Sequence, residues 1–581
     1  MNWIDWVVML GTLFFIAAYG IYKTRNTKNI ETYLHDNNER KWWEIGLGVM
    51  ATQASAITFL SVPGQAYDDG MRFVQFYFGL PLAMIVISVF FIPIFYKLKV
   101  YTAYEFLENR FDAKTRTFTA GLFLIQRAFS TGITIYAPSI ILSQLLGWNL
   151  HFTVLFIGTI VTVYILSGGT KAVAVTHKQQ MVVIYAGMFI AFGYLIHYLT
   201  SYAGFSDSLK IAGTLGKMNL ITNGQTDHGF DWSDKYNLIS GLVGGLFLQL
   251  SYFGTDQSQV GRYLGGESVK ESRLGLLFNG LMKIPVQLFI LLTGILVFVF
   301  YQFNQPPVYF NDVALQNAKT SVYADSLKIK TDAYESAMQL NADNTKLLAD
   351  KLKSDNTVDI EAAKQDLKNS FKQNDAARIE VNAIIQKANP GIDDDHDYIF
   401  MYFVMHYLPI GLVGLLFAVI FSASMSSTSS ALNGLAATFA VDIYKRYINR
   451  NAKGRTYLNA SKLFTVLFGT IAIGFALICS LFDNLIEAVN ILGSLIYGTI
   501  LGIFLTAFLF KRVRGNAVFT AAIISEMVVL YIDFSVRYNW NVPTIHIGYL
   551  WYNVIGCILV MLLSFLFSLF QSQKISGQFQ Q

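Results

Sequence analysis

The chain has 581 residues, of which 54% are hydrophobic, 15% aromatic and only 14% charged, and its mean hydropathy is +0.43. Soluble domains usually carry about 25% charged residues, so this composition excludes an ordinary soluble protein and also a disordered one. The net charge of +5 is small for this length and gives no reason to expect nucleic acid as a partner. Cys479 and Cys557 both lie in apolar runs and predict neither a disulfide framework nor a thiolate metal site.

Long apolar runs predict an all-α, polytopic protein embedded in a lipid bilayer. A bilayer core of roughly 30 Å needs about 20 apolar residues as a helix, and on this basis we predict about thirteen spans. These are about 4–22, 43–63, 74–96, 117–147, 149–168, 180–200, 237–256, 275–302, 399–432, 459–482, 484–510, 516–535 and 547–570. No basic segment precedes the first run, which indicates a retained helix rather than a signal peptide.

Loop charges predict the orientation. Most basic residues fall in alternate loops, for example Lys97, Lys114, Arg262 and Arg446, whereas the short loops between them carry few. The positive-inside rule then predicts the cytoplasmic membrane, with the N-terminus outside and the C-terminus inside. Few charges fall inside the spans, so we expect an almost uncharged membrane core.

One polar stretch divides the chain. We predict a first transmembrane part at 1–303 (a peripheral helix plus core helices one to seven) and an extracytoplasmic helical insert at 304–397. The second transmembrane part, 398–581, begins with core helix eight and ends in a short cytoplasmic tail. Apolar residues at helical spacing between Tyr323 and Leu352 predict amphipathic helices in the insert.

The role of the insert stays open at this point. Its acidic end contains Asp393, Asp394, Asp395 and Asp397, which are typical of a solvated linker but also suit the attraction of cations. A protein partner outside the membrane that docks on the insert is a further alternative.

Three polar clusters interrupt the apolar runs, and such clusters mark sites or pathways because hydrocarbon penalises unsatisfied polar groups. They are Ala51–Thr58, Gln249–Gln257 and Ser422–Ser430. The first two suit broken helices, whose free backbone groups can coordinate Na⁺ and a polar solute. The alternatives are close packing through small residues, aromatic packing, and serine hydroxyls that bond to the carbonyl four residues earlier.

The spacing within the serine cluster predicts a cation site, and the positions of the other two clusters along the chain predict a repeat. Ala423, Ser426 and Ser427 stand at i, i+3 and i+4, so one carbonyl and two hydroxyls share a helix face and suit Na⁺. If the first helix is peripheral, the two broken segments become core helices one and six. That order is expected for two inverted five-helix repeats, with the solute held where the broken helices meet.

Six motifs carry a resemblance to a known family. They are SAITFLSVPGQAY (Ser55–Tyr67), YTAYEFLENRF (Tyr101–Phe111), TGITIYAPS (Thr131–Ser139), GGTKAVAVT (Gly168–Thr176), YFGTDQSQVGRYL (Tyr252–Leu264) and SMSSTSSALNGLAATFAVDIYKR (Ser424–Arg446). In this order they resemble the sodium/solute symporter family, which includes sodium/glucose, proline, iodide, monocarboxylate and sialic acid carriers. The resemblance implies a LeuT-like inverted repeat, a turn at Gly168–Thr176, and Na⁺-coupled symport by alternating access rather than enzyme activity.

The resemblance also implies the ligands of a sodium site. The backbone carbonyls would come from Ala51 and Ala54 in core helix one and from Ala423 in core helix eight. The hydroxyls of Ser426 and Ser427 complete the set.

The solute-contacting residues follow less directly. We predict Gln53, Ser55, Thr58, Arg127, Gln249, Tyr252 and Phe253. Ile57 and Thr58 stand where the resembling sugar carriers have Glu-Gln, which argues against a simple hexose. Arg127 can meet a carboxylate as a bidentate donor, pair with a carbonyl, or extend to the membrane surface.

The number of coupled ions follows from a further difference. The family pattern has Thr-Asp where this chain has Thr176-His177, and the Asp is tied to a second cation site. We therefore predict one Na⁺ per cycle, with His177 either as a proton-coupling group or as an ordinary helix-end residue. A sugar, a sugar acid or a carboxylate suits the pattern as solute, and the alternative functions are a channel or a transporter-derived sensor.

Overall fold

A computed structural model describes residues 1–24, 40–98, 100–354, 356–390, 395–450, 454–479, 485–538, 540 and 544–570 of the chain. Between residues 167 and 178 it describes the helical backbone but not the side chains. Among these residues the chain is almost entirely helical, apart from an antiparallel ribbon that pairs Gln225–Thr226 with Gly229–Phe230.

The elements follow one another in a simple order. Before the insert they are α1 (Trp3–Thr24), α2 (Trp42–Gln53), α3 (Ala56–Asp69), α4 (Leu80–Val86), α5 (Ile92–Leu98), α6 (Glu105–Arg110), α7 (Ala113–Leu146), α8 (Leu150–Thr200), α9 (Phe205–Thr214), α10 (Gly245–Thr255), α11 (Gln257–Tyr263) and α12 (Val269–Phe303). In and after the insert they are α13 (Asp312–Lys319), α14 (Ala324–Lys351), α15 (Thr357–Ala388), α16 (His396–Tyr407), α17 (Leu412–Thr438), α18 (Gly454–Ala476), α19 (Leu485–Leu509), α20 (Gly515–Arg537) and α21 (Leu550–Leu569). Tighter or wider helical turns join some of them at Gly70–Tyr77, Ile87–Phe91, Ser240–Gly244 and Phe439–Ile448.

Length and composition mark the membrane-crossing helices. Within the described ranges, nine helices are long and apolar enough to cross a bilayer, and Trp3–Ile16 and Leu150–Leu166 are shorter apolar helices. The all-α, multi-span class predicted from the sequence is confirmed. The number of spans, predicted as about thirteen, stays a prediction.

Two helices break inside the bundle, as the polar clusters predict. Between α2 and α3, Ala54 and Ser55 leave the helical conformation, with ψ of 77° and 168°. Between α10 and α11, Asp256 is extended with ψ of 117°, and its carboxylate accepts the backbone N–H of Ser258 at 2.8 Å. The aspartate therefore caps the second half-helix and fixes where it begins.

Small residues bring the broken helix close to its neighbours. Helix α12 packs along both α2 and α3, and the carbonyl of Pro63 occupies the space that a Cβ at Gly294 would need. On the other side of α3, the carbonyl of His396 lies where a Cβ at Gly64 would stand. Glycine at these two points lets backbones approach to a distance that any side chain would prevent.

Helix α8 differs from the prediction. The sequence predicts two spans, 149–168 and 180–200, separated by a turn at Gly168–Thr176, whereas the helical backbone continues from Leu150 to Thr200. The segment contains no proline to block the helical hydrogen bonds, although Gly168 and Gly169 are poor helix formers. The side chains of the expected turn, and that of His177, lie outside the described part of the chain.

The insert is built on a helical hairpin. Helices α14 and α15 run antiparallel, since Lys330 pairs with Glu380 at 2.7 Å near one end and Lys351 pairs with Asp359 at 2.9 Å near the other. The amphipathic stripe is mostly buried as expected. Its buried members are Leu327, Tyr334, Met338 and Leu348, while Tyr323 and Leu347 are exposed.

The acidic end of the insert is buried where the structure describes it. Asp395 and Asp397 are 1% and 5% exposed, so neither belongs to a solvated linker. Asp395 pairs with Arg378 of α15 at 3.2 Å, and Asp397 accepts the backbone N–H of the first residue of α19 at 3.2 Å. These contacts connect the insert with the membrane helices. Asp393 and Asp394 lie outside the described residues.

Replacing Gly294 by Ala should lower the melting temperature of the purified protein by several degrees. The added methyl meets the backbone of Pro63, and such overpacking typically costs about 1–3 kcal/mol. Gly474→Ala is the matched control, because its Cβ meets no heavy atom within 4 Å and alanine favours helix over glycine. Equal melting temperatures for the two variants would contradict the close α3–α12 contact.

Candidate functional site

A cavity of about 130 Å³, here called the central cavity, lies beside the two helix breaks. Six of the seven predicted solute-contacting residues line it: Gln53, Ser55, Thr58, Arg127, Gln249 and Tyr252. Phe253, the seventh, does not. It is fully buried with its ring 4.9 Å from that of Tyr252, because successive residues of a helix point about 100° apart.

The polar side chains that line the central cavity differ in whether they have a hydrogen-bond partner. The amide of Gln53 donates to Asn279 at 2.9 Å, and the hydroxyl of Thr58 donates to the carbonyl of Gln53 at 3.3 Å. Within the described chain, the Gln249 side chain has no hydrogen-bond partner although it is only 5% exposed. Its amide therefore faces the cavity with donors and an acceptor available.

Two of the predicted sodium ligands, Ala51 and Ser426, meet where α2 ends beside α17. The hydroxyl of Ser426 donates to the carbonyl of Ala51 at 3.1 Å, and that of Ser427 donates to the carbonyl of Ala423 at 3.0 Å. The carbonyl of Ala51 is one of the last four of its helix, which have no partner within the helix. Ala54 follows at the break itself, where the backbone leaves the helical conformation.

The serine cluster combines two kinds of bond. Ser427 and Ser430 bond to the carbonyls four residues earlier, as the alternative interpretation of the cluster expects. Ser424 and Ser426 instead reach other helices, donating to the carbonyls of Thr134 at 3.0 Å and Ala51 at 3.1 Å. The cluster therefore satisfies its own helix and also joins α17 to α7 and α2.

A buried ion pair beside the cavity was not predicted. Asp256, only 1% exposed, accepts the hydroxyl of Tyr497 at 2.8 Å and lies 3.6 Å from the guanidinium of Arg127. The guanidinium also stands 5.9 Å from the ring of Tyr252. Of the three alternatives for Arg127, none named this carboxylate, because the pairing joins residues far apart in the chain.

A second missed residue is Lys283 of α12. It lines the central cavity, is 5% exposed, and its ammonium lies 5.5 Å from the ring of Tyr77. Among the described residues no carboxylate pairs with it. The signal was in the sequence, since an ionisable residue inside an apolar helix marks a functional site by default. The expectation of an almost uncharged membrane core is wrong at Arg127, Asp256 and Lys283.

No three His, Cys, Asp or Glu side chains of the described residues gather as a metal site.

Comparison with known proteins decides the family. The model of the sodium:solute symporter family matches residues 33–322 and 381–525. The chain belongs to this family. It is thus a sodium-coupled solute symporter and a multi-pass membrane protein, and the predicted family, transport class and coupling ion are confirmed.

Individual relatives agree over nearly the whole chain. The sodium/sialic acid symporter SiaT of Proteus mirabilis is 24% identical, with 97% of this chain and 94% of the relative covered. The sodium/glucose cotransporter of Vibrio parahaemolyticus is also 24% identical, covering 92% of this chain and 86% of its own length. A solved substrate-bound, outward-open Na⁺-coupled sialic acid symporter superposes with a TM-score of 0.73 at 22% identity, over 98% of both chains. That likeness confirms the predicted LeuT-like fold.

Replacing Asp256 by Asn should lower the melting temperature strongly. The variant keeps a good helix cap but leaves Arg127 as an uncompensated buried cation, which costs about 3–5 kcal/mol. Adding Arg127→Met should restore part of the loss, since removing both charges leaves neither one unpaired. Thermal unfolding of the unmodified protein, Asp256→Asn, Arg127→Met and the double variant measures this. Asp227→Asn, at an exposed position, is the control. Losses that simply add up would contradict the ion pair.

Proposed function

We propose that the chain imports a small sugar acid with one Na⁺ per transport cycle, across the cytoplasmic membrane. The observation that carries the proposal is the 3.1 Å hydrogen bond from Ser426 to the carbonyl of Ala51. It joins the end of the broken helix to α17, and the wall of the central cavity begins at the neighbouring Thr52 and Ser427.

The sodium ligands in this proposal are the oxygens of Ala51, Ala54, Ala423, Ser426 and Ser427. All are neutral, so they bind a small cation without a fixed counter-charge that would retain it. Each hydroxyl now donates its proton to a carbonyl. Each hydroxyl oxygen keeps its lone pairs when it donates, and each carbonyl oxygen has a second lone pair, so the same oxygens can still coordinate Na⁺.

The charge of the central cavity supports an anionic solute. Arg127 is compensated by Asp256, which leaves Lys283 as the cation available to a carboxylate. The amide of Gln249 and the hydroxyls of Ser55 and Thr58 suit the hydroxyl groups of a sugar ring. The relatives that cover 97% of this chain are named sodium/sialic acid symporters, which also supports a sugar acid.

Sodium supplies the driving force in this scheme. One positive charge that moves inward gains roughly 2.3 kcal/mol per 100 mV, in addition to its concentration gradient. Ion binding between α2 and α17 steadies the broken helix, and the two bundles then expose the central cavity to the inside. The ion can shift this equilibrium only because it binds one state better than the other.

Orientation and chain division complete the proposal. We place the N-terminus and the insert, residues 304–397, outside and the C-terminus inside, with 1–303 and 398–581 as the two parts of the transmembrane domain. Support comes from basic residues at the ends of the connection between α5 and α7, since Lys97 lies in the last turn of α5 and Lys114 in the first turn of α7.

Replacing Ser427 by Ala should raise the Na⁺ concentration needed for half-maximal uptake by about tenfold, which corresponds to ~1.4 kcal/mol of lost ion binding. Uptake of labelled N-acetylneuraminate into reconstituted vesicles at varied Na⁺ measures the change. Ser525→Ala is the control, because that buried hydroxyl also donates to a backbone carbonyl, at 2.8 Å, but lies on peripheral α20. An unchanged sodium requirement in Ser427→Ala would overturn the ligand assignment.

Replacing Lys283 by Gln should reduce kcat/KM for sugar acids by at least about tenfold and change that for neutral sugars much less, because only the acid loses an ion pair. A panel of N-acetylneuraminate, D-glucuronate and D-galactose, with and without a Na⁺ gradient, provides the comparison. The control is Lys328→Gln, an exposed lysine of the insert. Equal losses for acids and neutral sugars would contradict the role of the charge.

A further inference from the structure

Arg262 falls in a loop according to the sequence, but the structure buries it. It stands in α11, the second half of the helix that breaks at Asp256, and it is only 3% exposed. Arginine is almost never fully buried unless it is paired, because burying a charge without a partner is costly. The burial of Arg262 therefore requires a contact that holds the guanidinium inside the bundle.

That contact is a hydroxyl of the serine cluster. A terminal nitrogen of the guanidinium donates to the hydroxyl of Ser430 at 2.6 Å. The same hydroxyl lies 3.3 Å from that of Thr52 on α2 and donates to the carbonyl of Ser426 at 3.0 Å. Ser430 therefore links α2, α11 and α17, and it stands about one helical turn from the proposed sodium ligand Ser426.

Close packing of the backbones supports this link. Helix α11 packs on both α2 and α17. At Gly434 of α17, an added Cβ would stand 3.1 Å from the backbone nitrogen of Ser258, so the glycine lets the start of α11 approach closely. The guanidinium of Arg262 thereby reaches the boundary between α2 and α17, here called the α2–α17 seam.

The order of residues along α17 places the contact on the inner side of the proposed sodium ligands. From Ser426 the chain runs through Ser430 to Lys445 and Arg446, in the last turn of the helical segment that follows α17. In the proposed orientation these basic residues are cytoplasmic. An ion that leaves Ser426 for the cytoplasm along the seam must therefore pass a guanidinium, which stays protonated and repels a cation.

We infer that Arg262 is a positioning residue that closes the cytoplasmic side of the transport site. Its bond to Ser430 holds α11 against the α2–α17 seam while the ion and the solute enter from outside. The bond breaks when the bundles rock, which opens the way to Thr52 and Ser427 in the wall of the central cavity. The inference rests on the proposed function for the orientation and for the site that is closed.

A cysteine in the central cavity reports which side is open. Ser130 lines the cavity and is 6% exposed, so Ser130→Cys exchanges one atom and is reached only when the cavity opens. The two native cysteines are buried. A charged, membrane-impermeant maleimide is applied to the full-length protein in Na⁺-free buffer without solute. Right-side-out vesicles present the outer face to the reagent, and inside-out vesicles present the cytoplasmic face.

Arg262→Met should raise the rate of labelling of Ser130→Cys from the cytoplasmic face at least fivefold and lower the rate from the outer face. The reason is that losing the contact favours the inward-open state. Ser430→Ala should act in the same direction, and combining the two should add little, since both remove one bond. Arg273→Met is the matched control, because its guanidinium donates to the carbonyl of Ser88 at 2.7 Å and this bond involves neither α11 nor α17.

Unchanged cytoplasmic labelling in Arg262→Met would overturn the inference. A rise from both faces would also overturn it, since it indicates a loosened fold, and the melting temperature reports whether each variant is folded. A rise confined to the outer face would overturn the cytoplasmic placement of the contact.

Uptake measurements separate this inference from the proposed function. Unchanged labelling in Arg262→Met, together with the expected loss of sodium affinity in Ser427→Ala, would overturn the closure alone. Increased cytoplasmic labelling, together with an unchanged sodium requirement in Ser427→Ala, would support the closure and overturn the ligand assignment.

Discussion

A helix that breaks inside an apolar bundle leaves backbone groups that water cannot reach, and the centre of this structure is arranged around two such breaks. At the first break, the carbonyl of Ala51 receives the hydroxyl of Ser426 from another helix. At the second, the carboxylate of Asp256 receives backbone and side-chain donors of Ser258. The groups that repair the breaks adjoin residues that line the central cavity, so the atoms that stabilise the breaks lie beside the proposed solute site.

Local signals explain what the sequence could predict. Apolar runs give the helical class, the clusters around Ala54 and Asp256 give the breaks, and the i, i+3, i+4 spacing gives the serine face. These features depend only on neighbouring residues and on helical geometry. The pairing of Arg127 with Asp256 depends instead on how α7 and α10 both pack on α19, which no local pattern contains. The prediction for Phe253 was wrong for a simpler reason. A step of one residue along a helix rotates the side chain from the cavity wall into the core.

The charges missed in the membrane core change the picture of selectivity. Neutral oxygens gather between α2 and α17, while Asp256 and Arg127 compensate each other a short distance away. Lys283 is the exception, because within the described chain its ammonium has no ion pair and contacts only the ring of Tyr77. Uncompensated charge in a low-dielectric cavity is costly without a partner and attracts one strongly, which supports the proposed anionic solute.

The close contact between Gly64 of α3 and the carbonyl of His396 has a consequence for regulation. Because α3 is one half of a broken helix and the start of α16 carries the end of the insert, a movement of α3 in the proposed transport cycle must change this contact. Any molecule that binds the insert more tightly in one transport state must favour that state. By thermodynamic reciprocity, if sodium binds at the proposed site and favours one state, it must change the affinity of the insert for that molecule by the same factor.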